Sequence, residues 1–516
     1  MNGAESLVKT LLAAEIDVCF TNPGTSEMYF VAALDRIPGM RCILGLFEGV
    51  VTGAADGYYR IAGKPACTLL HLGPGLGNGL ANLHNAKKAG SGIVNVVGEH
   101  ASYHIRHDAP LTSDIEAIAR PMSHWVRKTR SSTTVAEDAA AAISIARETP
   151  GKIATLILPA DAAWGPAERI VAAPNSTAPM QTSAAAVTAA GQALMRSGAA
   201  ACLLLGNLAV RGRALELAGR ISAKTGCMLS AEFNSARLER GAGRVQLARV
   251  PYVIEMATKM LEKTSDLVLV GAKPPVGFFA YPGKPSLMAP PSCRITELAD
   301  GEQDIEHALE ALAAELDALT VRPVRIAERK QSALPSGAIT SDGIGAILGA
   351  LLPENAIVVD ESVTTGLGFG APTAQAAPHD WLAVMGGSIG YGPPCAIGAA
   401  IAAPDRKVVL LQADGAGMYT LQAFWTMARN QLDVTIMVFS NRTYEILRRE
   451  LAALGGGQPG QNATEMLMLD RPALDWVALA KGHGVEAGRA TTLEDLAAQF
   501  KRGLASQGPY LIEVVM

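Results

Sequence analysis

A chain of 516 residues with 49% hydrophobic and 18% charged side chains is globular in composition and too long for one compact core, so about three domains are expected. Its formal net charge of -4 excludes a strongly basic nucleic-acid or acidic-membrane binder, and it has no continuous apolar run long enough to span a bilayer. The cysteines, at 19, 42, 67, 202, 227, 293 and 395, are scattered, odd in number and lack a Cys-x-x-Cys pair; they read as small buried residues of a reducing compartment.

The first third alternates apolar runs with helical segments, as a parallel α/β domain does. MNGAESLVKTLLAAE interrupts its apolar residues with Glu5, Lys9 and Glu15. It is expected to form an amphipathic helix and not a secretion signal, and a cytoplasmic location follows as an expectation. Asp17 to Phe20 is a short strand running into Thr21-Asn-Pro-Gly-Thr-Ser-Glu27, a Pro-Gly turn with Thr25 or Ser26 as helix cap and Glu27 in the first turn. Cys42 to Phe47 reads as a buried strand that ends at Glu48. On its own, a glutamate at a helix start is a dipole-compatible first-turn residue. The helix it opens carries Gly49, Gly53 and Gly57 at helical spacing. Each glycine costs such a helix about 1 kcal/mol against alanine, so close approach of another backbone is expected there, at a subunit interface.

Ala66 to Leu70 is a strand leading through His71 into an expected loop with glycines at 73, 75, 77 and 79 and with Asn78. The spacing lacks the third glycine of a dinucleotide fingerprint. His71 reads either as a proton carrier or as a hydrogen-bonded loop histidine. Ile93 to Val97 is a strand ending in Gly98-Glu99-His100.

Ala172 to Ala185, small and proline-containing, reads as a linker after a first domain of residues 1–170. Residues 186–320 repeat the α/β pattern, with strand Ala201 to Leu205, helix Ala214 to Lys224 and strand Leu267 to Val270; Phe278, Phe279 and Tyr281 read first as core, with a pocket wall as the alternative. Val321 to Ser336 is the second linker, before a domain of residues 337–516. There, Ala356 to Val359 runs into Asp360-Glu-Ser-Val-Thr364-Thr365-Gly366, polar groups that suit a diphosphate or an ordinary helix cap. The apolar run Val408 to Leu411 ends in Ala413-Asp414-Gly415, and Val434 to Phe439 ends in Asn441-Arg442-Thr443. Parallel strands open their carboxyl ends on one crevice, so Asp414 and Asn441 are expected to meet there. With a backbone carbonyl such as that of Thr443 they make a sparse oxygen site, which magnesium favours when phosphates complete its octahedron. Arg448, Arg449 and Glu450 read most simply as a solvated helix face, with contact of one of them to a substrate carboxylate as the alternative.

Four stretches, in one order, resemble the thiamine diphosphate family that contains acetolactate synthase, benzoylformate decarboxylase and pyruvate decarboxylase. They are Glu48-x6-Ala-Asp-Gly-Tyr58, Gly73-Pro-Gly-x-x-Asn78, Gly386-Gly-Ser-Ile389-Gly, and Ala413-Asp414-Gly415 followed by Asn441-x-Thr443. The resemblance implies an α/β chain of three domains (pyrimidine-binding, central Rossmann-like and diphosphate-binding), with bound thiamine diphosphate and Mg2+. It implies decarboxylation of a 2-oxo acid, followed by aldehyde release or carboligation. Glu48 takes the position of the catalytic glutamate at the aminopyrimidine, and Ile389 that of the apolar residue beneath the bent cofactor. Thr364, Gly387, Gly415, Ala416 and Tyr444 are implied around the cofactor, and Asp414, Asn441 and Thr443 at the metal.

Thr25 falls where benzoylformate decarboxylase has an active-site serine, and His71 resembles its histidine. Four features depart from the patterns. Ala413 replaces a usual Gly, Glu99 a usual Gln at the substrate pocket, and Leu447 the glutamate of pyruvate decarboxylases, while Val276 to Tyr281 offers no second histidine. Leu447 with Ile446 makes the pocket mouth apolar, which favours a 2-oxo acid with a modest apolar or aromatic side chain. A homodimer or homotetramer is implied, because in the family the glutamate and the diphosphate site come from different subunits; no nucleic-acid or membrane partner is. Rival readings are a FAD-containing acetolactate synthase or flavin-dependent 2-oxo acid oxidase, though the central segment carries no clear FAD motif, and a catalytically silent cofactor-binding paralogue.

Overall fold

The computed structural model describes residues 1–516 apart from 175, 331 and 455–458, so the linker readings at Asn175 and Gln331 lie outside the described residues. Three mainly parallel sheets organise the chain. The first holds β1 (Val18–Asn22), β2 (Arg41–Leu44), β3 (Ala66–Leu70), β4 (Ile93–Glu99), β5 (Trp125–Lys128) and β6 (Ile153–Pro159), in the order β2-β1-β3-β4-β6-β5. From the middle third, β7 (Ala201–Leu205), β8 (Met228–Ala231), β10 (Ala248–Arg249), β11 (Asp266–Val270) and β12 (Arg294–Ala299) form a second sheet, order β10-β8-β7-β11-β12. The third has the order β17-β18-β16-β15-β13-β14-β9. Its parallel strands are β13 (Ala356–Glu361), β14 (His379–Ala383), β15 (Val408–Ala413), β16 (Val434–Ser440), β17 (Glu486–Ala490) and β18 (Tyr510–Val515). The middle third lends it an antiparallel edge strand, β9 (Leu238–Arg240).

The central strands are buried along their whole length, as their unbroken apolar runs require when helices cover both faces of a parallel sheet. Helix Gly3–Ala13 opens with Asn2 and Glu5 exchanging side-chain to backbone hydrogen bonds at its start, a capping box.

Four expectations need correction. The glycine face of helix Glu48–Ala62 is covered inside the chain by helix Gly392–Ala402: a Cβ on Gly57 would overlap the carbonyl of Cys395, and one on Gly398 would overlap that of Ala54. Backbone does approach the glycines, but no subunit boundary is needed to explain them. Cys42 lies not in a buried strand but in β2, an edge strand where Arg41 and Cys42 are exposed. Five cysteines are buried, with Cys42 exposed and Cys293 partly so.

The glycine-rich stretch after His71 is the opening of helix Leu72–Ala89, not a loop. Two of its glycines serve packing: Gly79 lies against the Thr52 methyl and Gly73 against the Ser113 hydroxyl, and side chains at either would collide. Helix propensity is overridden there by the closeness of two helices.

A buried ion pair stitches the first and third sheets together. Arg60 holds both carboxylate oxygens of Asp56, at 2.8 and 2.6 Å, and donates to the Ala383 carbonyl and the Tyr391 hydroxyl at 2.7 and 2.8 Å. No helix is long and apolar enough to cross a membrane among the described residues.

Candidate active site

Strand register brings the first group of polar residues together. Asn22 pairs with Leu70, and Leu70 with Val97, so Gly24, His71 and Gly98 leave the sheet side by side. Glu27, only 3% exposed, enters the space left by the missing side chain of Gly98. Its carboxylate accepts from the Gly24 amide at 2.7 Å, from the Ser26 hydroxyl at 2.6 Å and from His71 Nδ1 at 2.7 Å. A carboxylate only accepts, so Nδ1 carries the proton of this bond and Nε2 is the ring nitrogen left uncommitted to Glu27. Sequence reasoning missed Glu27, which looks like an ordinary first-turn acid. The hydroxyl against His71 is that of Ser26, at 3.4 Å; Thr25 is exposed in the same turn.

Glu99 is not brought to this group. Side chains alternate along a strand, so with Gly98 facing Glu27 the next side chain leaves on the opposite face. There Glu99, 1% exposed, meets Lys128 at 3.2 Å and the His100 amide at 2.8 Å.

Glu48 starts its helix almost buried, at 9% exposure, and forms no ion pair among the described residues. Asn78 donates to one of its oxygens at 2.9 Å, and Gly75 leaves room beside the other, where a Cβ would sit 3.1 Å away. Asn82 on the same helix as Asn78 ties Gly49 to Gly390, donating to the two carbonyls at 2.8 and 3.3 Å. The start of the Glu48 helix is therefore linked through one side chain to the loop that carries Ile389.

That loop is held from both sides. Asn85 accepts from the Gly386 and Ser388 amides, each at 3.2 Å, and donates to the Ser388 carbonyl at 2.8 Å. Glu361, buried at the end of β13, accepts from the amides of Gly390, Tyr391 and Gly392 at 2.9, 3.1 and 2.8 Å. Burial pushes its carboxyl pKa up, against the pull of those amides. Ile389 is half-buried, and Gly387 is exposed at a φ of +73°, which only glycine adopts without strain. Nearby, Thr364 is half-buried and does not cap the turn it precedes, which leaves its hydroxyl uncommitted.

At the other strand ends, Ala413 pairs with Phe439, so Asp414 and Asn441 leave the sheet as neighbours. Asp414 is 2% exposed. Its carboxylate accepts from the amides of Gly415 and Arg442 at 2.8 and 2.7 Å and has no cationic partner among the described residues. Burial raises its pKa, with those amides opposing. Asn441 Oδ1 accepts from the Thr443 amide at 3.1 Å, and the Thr443 hydroxyl donates to Leu467. Gly415 lies under the Tyr444 ring, and Ala416 is buried beside it.

The sequence matches the family profiles of the N-terminal and C-terminal TPP binding domains of thiamine pyrophosphate enzymes over residues 1–118 and 368–514. It is 51% identical to the Mycobacterium tuberculosis protein named for an acetolactate synthase large subunit, IlvX, over 100% of this chain and 99% of that protein. It is 30% identical to benzoylformate decarboxylase of Pseudomonas aeruginosa over 96% of this chain and 95% of that enzyme. This chain belongs to the thiamine diphosphate enzyme family. Its fold matches that of the 4-hydroxybenzoylformate decarboxylase of Rhodococcus jostii with a TM-score of 0.87 at 24% identity, covering 100% of this chain and 99% of that one.

The residues present fit the family's cofactor. Asp414 is a buried carboxylate without a counter-cation, which a metal-bound diphosphate would supply. Glu48 is a nearly buried carboxylate bonded, among the described residues, only to the Asn78 amide, free to accept from a protonated ring nitrogen.

In the middle third of the enzyme, two aromatic rings read first as core, and second as a wall, stand exposed. Phe278 and Phe279 are 49% and 56% exposed, and the Phe278 ring lies over Gly387, 2.8 Å from where a Cβ would stand. Glu450 is not a solvated residue either: it accepts from the hydroxyls of Tyr281 and Tyr252 at 2.6 and 3.3 Å. Arg448 and Arg449 are exposed and pair with Glu445. Ile446 is half-buried and Leu447 exposed on the same helix, Glu445–Ala453.

Proposed function

We propose that this enzyme binds Mg2+ together with thiamine diphosphate and decarboxylates a 2-oxo acid bearing a modest apolar or aromatic side chain, releasing an aldehyde or joining two carbonyl compounds. The observation that carries the reading is Glu48, a nearly buried carboxylate with no cationic partner among the described residues, at the head of a helix tied to the Ile389 loop. When bound, the cofactor supplies a nucleophilic carbon and an electron sink for loss of carbon dioxide.

The chain's own residues supply the rest. Glu48 holds a proton on the aminopyrimidine ring, and Asn78 fixes the orientation of its carboxylate. Ile389, braced by Asn85 and Glu361 through its loop, gives the cofactor a rigid apolar floor. Asp414, Asn441 and the Thr443 carbonyl hold the metal; Gly415, Ala416, Tyr444, Gly387 and Thr364 surround the diphosphate. His71, with Nδ1 committed to Glu27, moves a proton at Nε2. Thr25 offers a hydroxyl to the substrate carboxylate, and Ile446 and Leu447 keep the pocket mouth apolar.

The enzyme works as a homodimer or larger homo-oligomer. Leu46, two residues before Glu48, is 46% exposed, and Leu367, beside Thr364, is 70% exposed; apolar side chains beside the site are natural positions for a second subunit. A fully active monomer in light scattering would contradict this.

The deciding experiment is a panel of pyruvate, 2-oxobutanoate, branched 2-oxo acids and benzoylformate, scoring carbon dioxide, aldehyde and hydroxyketone separately. Acetolactate from pyruvate identifies a synthase, and aldehyde from benzoylformate a decarboxylase. Carbon dioxide from none of them would overturn the reading.

A further inference from the structure

Helix Glu445–Ala453 follows directly on the Asn441–Tyr444 turn, yet none of its residues is buried. A helix this exposed owes its position to a few specific bonds. Glu450 supplies two of them. Its carboxylate accepts from Tyr281 and Tyr252, 169 and 198 positions away in the middle third, and makes no ion pair among the described residues. Hydrogen bonds to an ionised oxygen are roughly twice as strong as neutral ones. Burial and the nearby Glu450 charge both push the Tyr252 hydroxyl pKa up, so it remains a donor.

Tyr252 belongs to an aromatic ladder. Phe233 and Tyr252 lie 5.5 Å apart between ring centroids, Tyr252 and Phe278 5.6 Å, and Phe278 and Phe279 5.1 Å. On the helix, Ile446 and Leu447 stand four and three residues before Glu450, and side chains at those spacings share a face. The bonds that draw Glu450 toward the ladder therefore turn the Ile446 and Leu447 face the same way. Phe278, Phe279 and Leu447 are each about half exposed, so the apolar surface there is not filled by the described residues.

We propose that Glu450 is a positioning residue. Gripped by Tyr252 and Tyr281, it sets the gap between the Glu445 helix and the aromatic ladder, and that gap selects the side chain of the substrate. The assignment rests on the 2-oxo acid reading given above, and it predicts a slot suited to a branched alkyl or aryl group lying between apolar walls.

The test uses the full-length enzyme with thiamine diphosphate and Mg2+, comparing wild type with Glu450→Gln and Tyr281→Phe. Hydrogen exchange of peptides covering 444–453 needs no substrate; it should quicken about tenfold in both variants while peptides of β15 and β16 stay unchanged. In turnover, the ratio of kcat/KM for benzoylformate to that for pyruvate should shift at least about fivefold, mostly through KM, with cofactor affinity held. Unchanged exchange would remove the clasp. Faster exchange with an unchanged ratio would make Glu450 a structural latch and overturn the positioning role. If wild type releases no carbon dioxide from any 2-oxo acid, the reading of the reaction fails, and the exchange measurement alone decides the clasp.

Discussion

Glu27 and His71 lie 44 positions apart in sequence, yet a carboxylate oxygen of one and Nδ1 of the other are 2.7 Å apart. This contact orients the ring. Glu27→Gln replaces an oxygen that can only accept with an amide that also donates, so the ring loses its fixed tautomer. Turnover should fall about 10- to 100-fold, and nitrogen NMR of His71 should change from one neutral tautomer to a mixture. A single Nδ1-protonated tautomer in the variant would refute this role.

Glu48→Gln should leave fold and most cofactor affinity intact, because Asn78 can still bond a side-chain oxygen at that position. Exchange of the cofactor's acidic carbon-bound proton should slow by about two orders of magnitude or more. Exchange at the wild-type rate would remove Glu48 from the chemistry.

Asp414→Ala should cost thiamine diphosphate and magnesium together. A ligand present at 100 times its Kd stabilises a protein by about 2.7 kcal/mol, which reads as a raised Tm. Wild type should show that rise only when cofactor and metal are both present, and lose it on addition of a chelator. The variant should show none, and titration calorimetry with unchanged affinity would overturn the metal assignment.

His379 should make stability depend on pH. It is 4% exposed, and burial pulls its pKa from 6.5 down to about 4. Between those values the unfolded chain binds a proton that the folded chain refuses. Stability is therefore full above pH 6.5 and declines as pH falls toward about 4, by up to about 3 kcal/mol. Urea unfolding across that window should show the slope in wild type and a shallower one in His379→Gln. Equal slopes would mean that other groups carry the effect.

What could be read from sequence was what depends on neighbours along the chain. The run Ala201–Leu205 forms β7 with the expected ends, and Asp414 and Asn441 meet because adjacent parallel strands must end together. What could not be read was set by partners far away. Glu27 resembles a first-turn acid until Gly98 is seen to clear the space it enters and Gly24 the space of the His71 ring, and glycine at both places was the available signal. Glu361 sits in a polar stretch whose meaning depends on amides about 30 positions on. The glycines after His71 misled because glycine is a poor helix former; Gly75 and Gly79 are explained by the Glu48 helix lying alongside and Gly73 by Ser113.

The crossing of the Glu48 and Gly392 helices has a further consequence. Asn82 links Gly49 to Gly390 next to it, so the spacing between the Glu48 carboxylate and the Ile389 loop is set by how near two backbones can come, not by side-chain size. Such a spacing admits no small adjustments, since any residue but glycine at 57 or 398 drives a carbon into a carbonyl. The half-exposed rings at 278 and 279 carry no such constraint. Substitutions at those rings could reshape the surface around them many times over, while the place of the Glu48 helix relative to the Ile389 loop of its own chain stayed fixed.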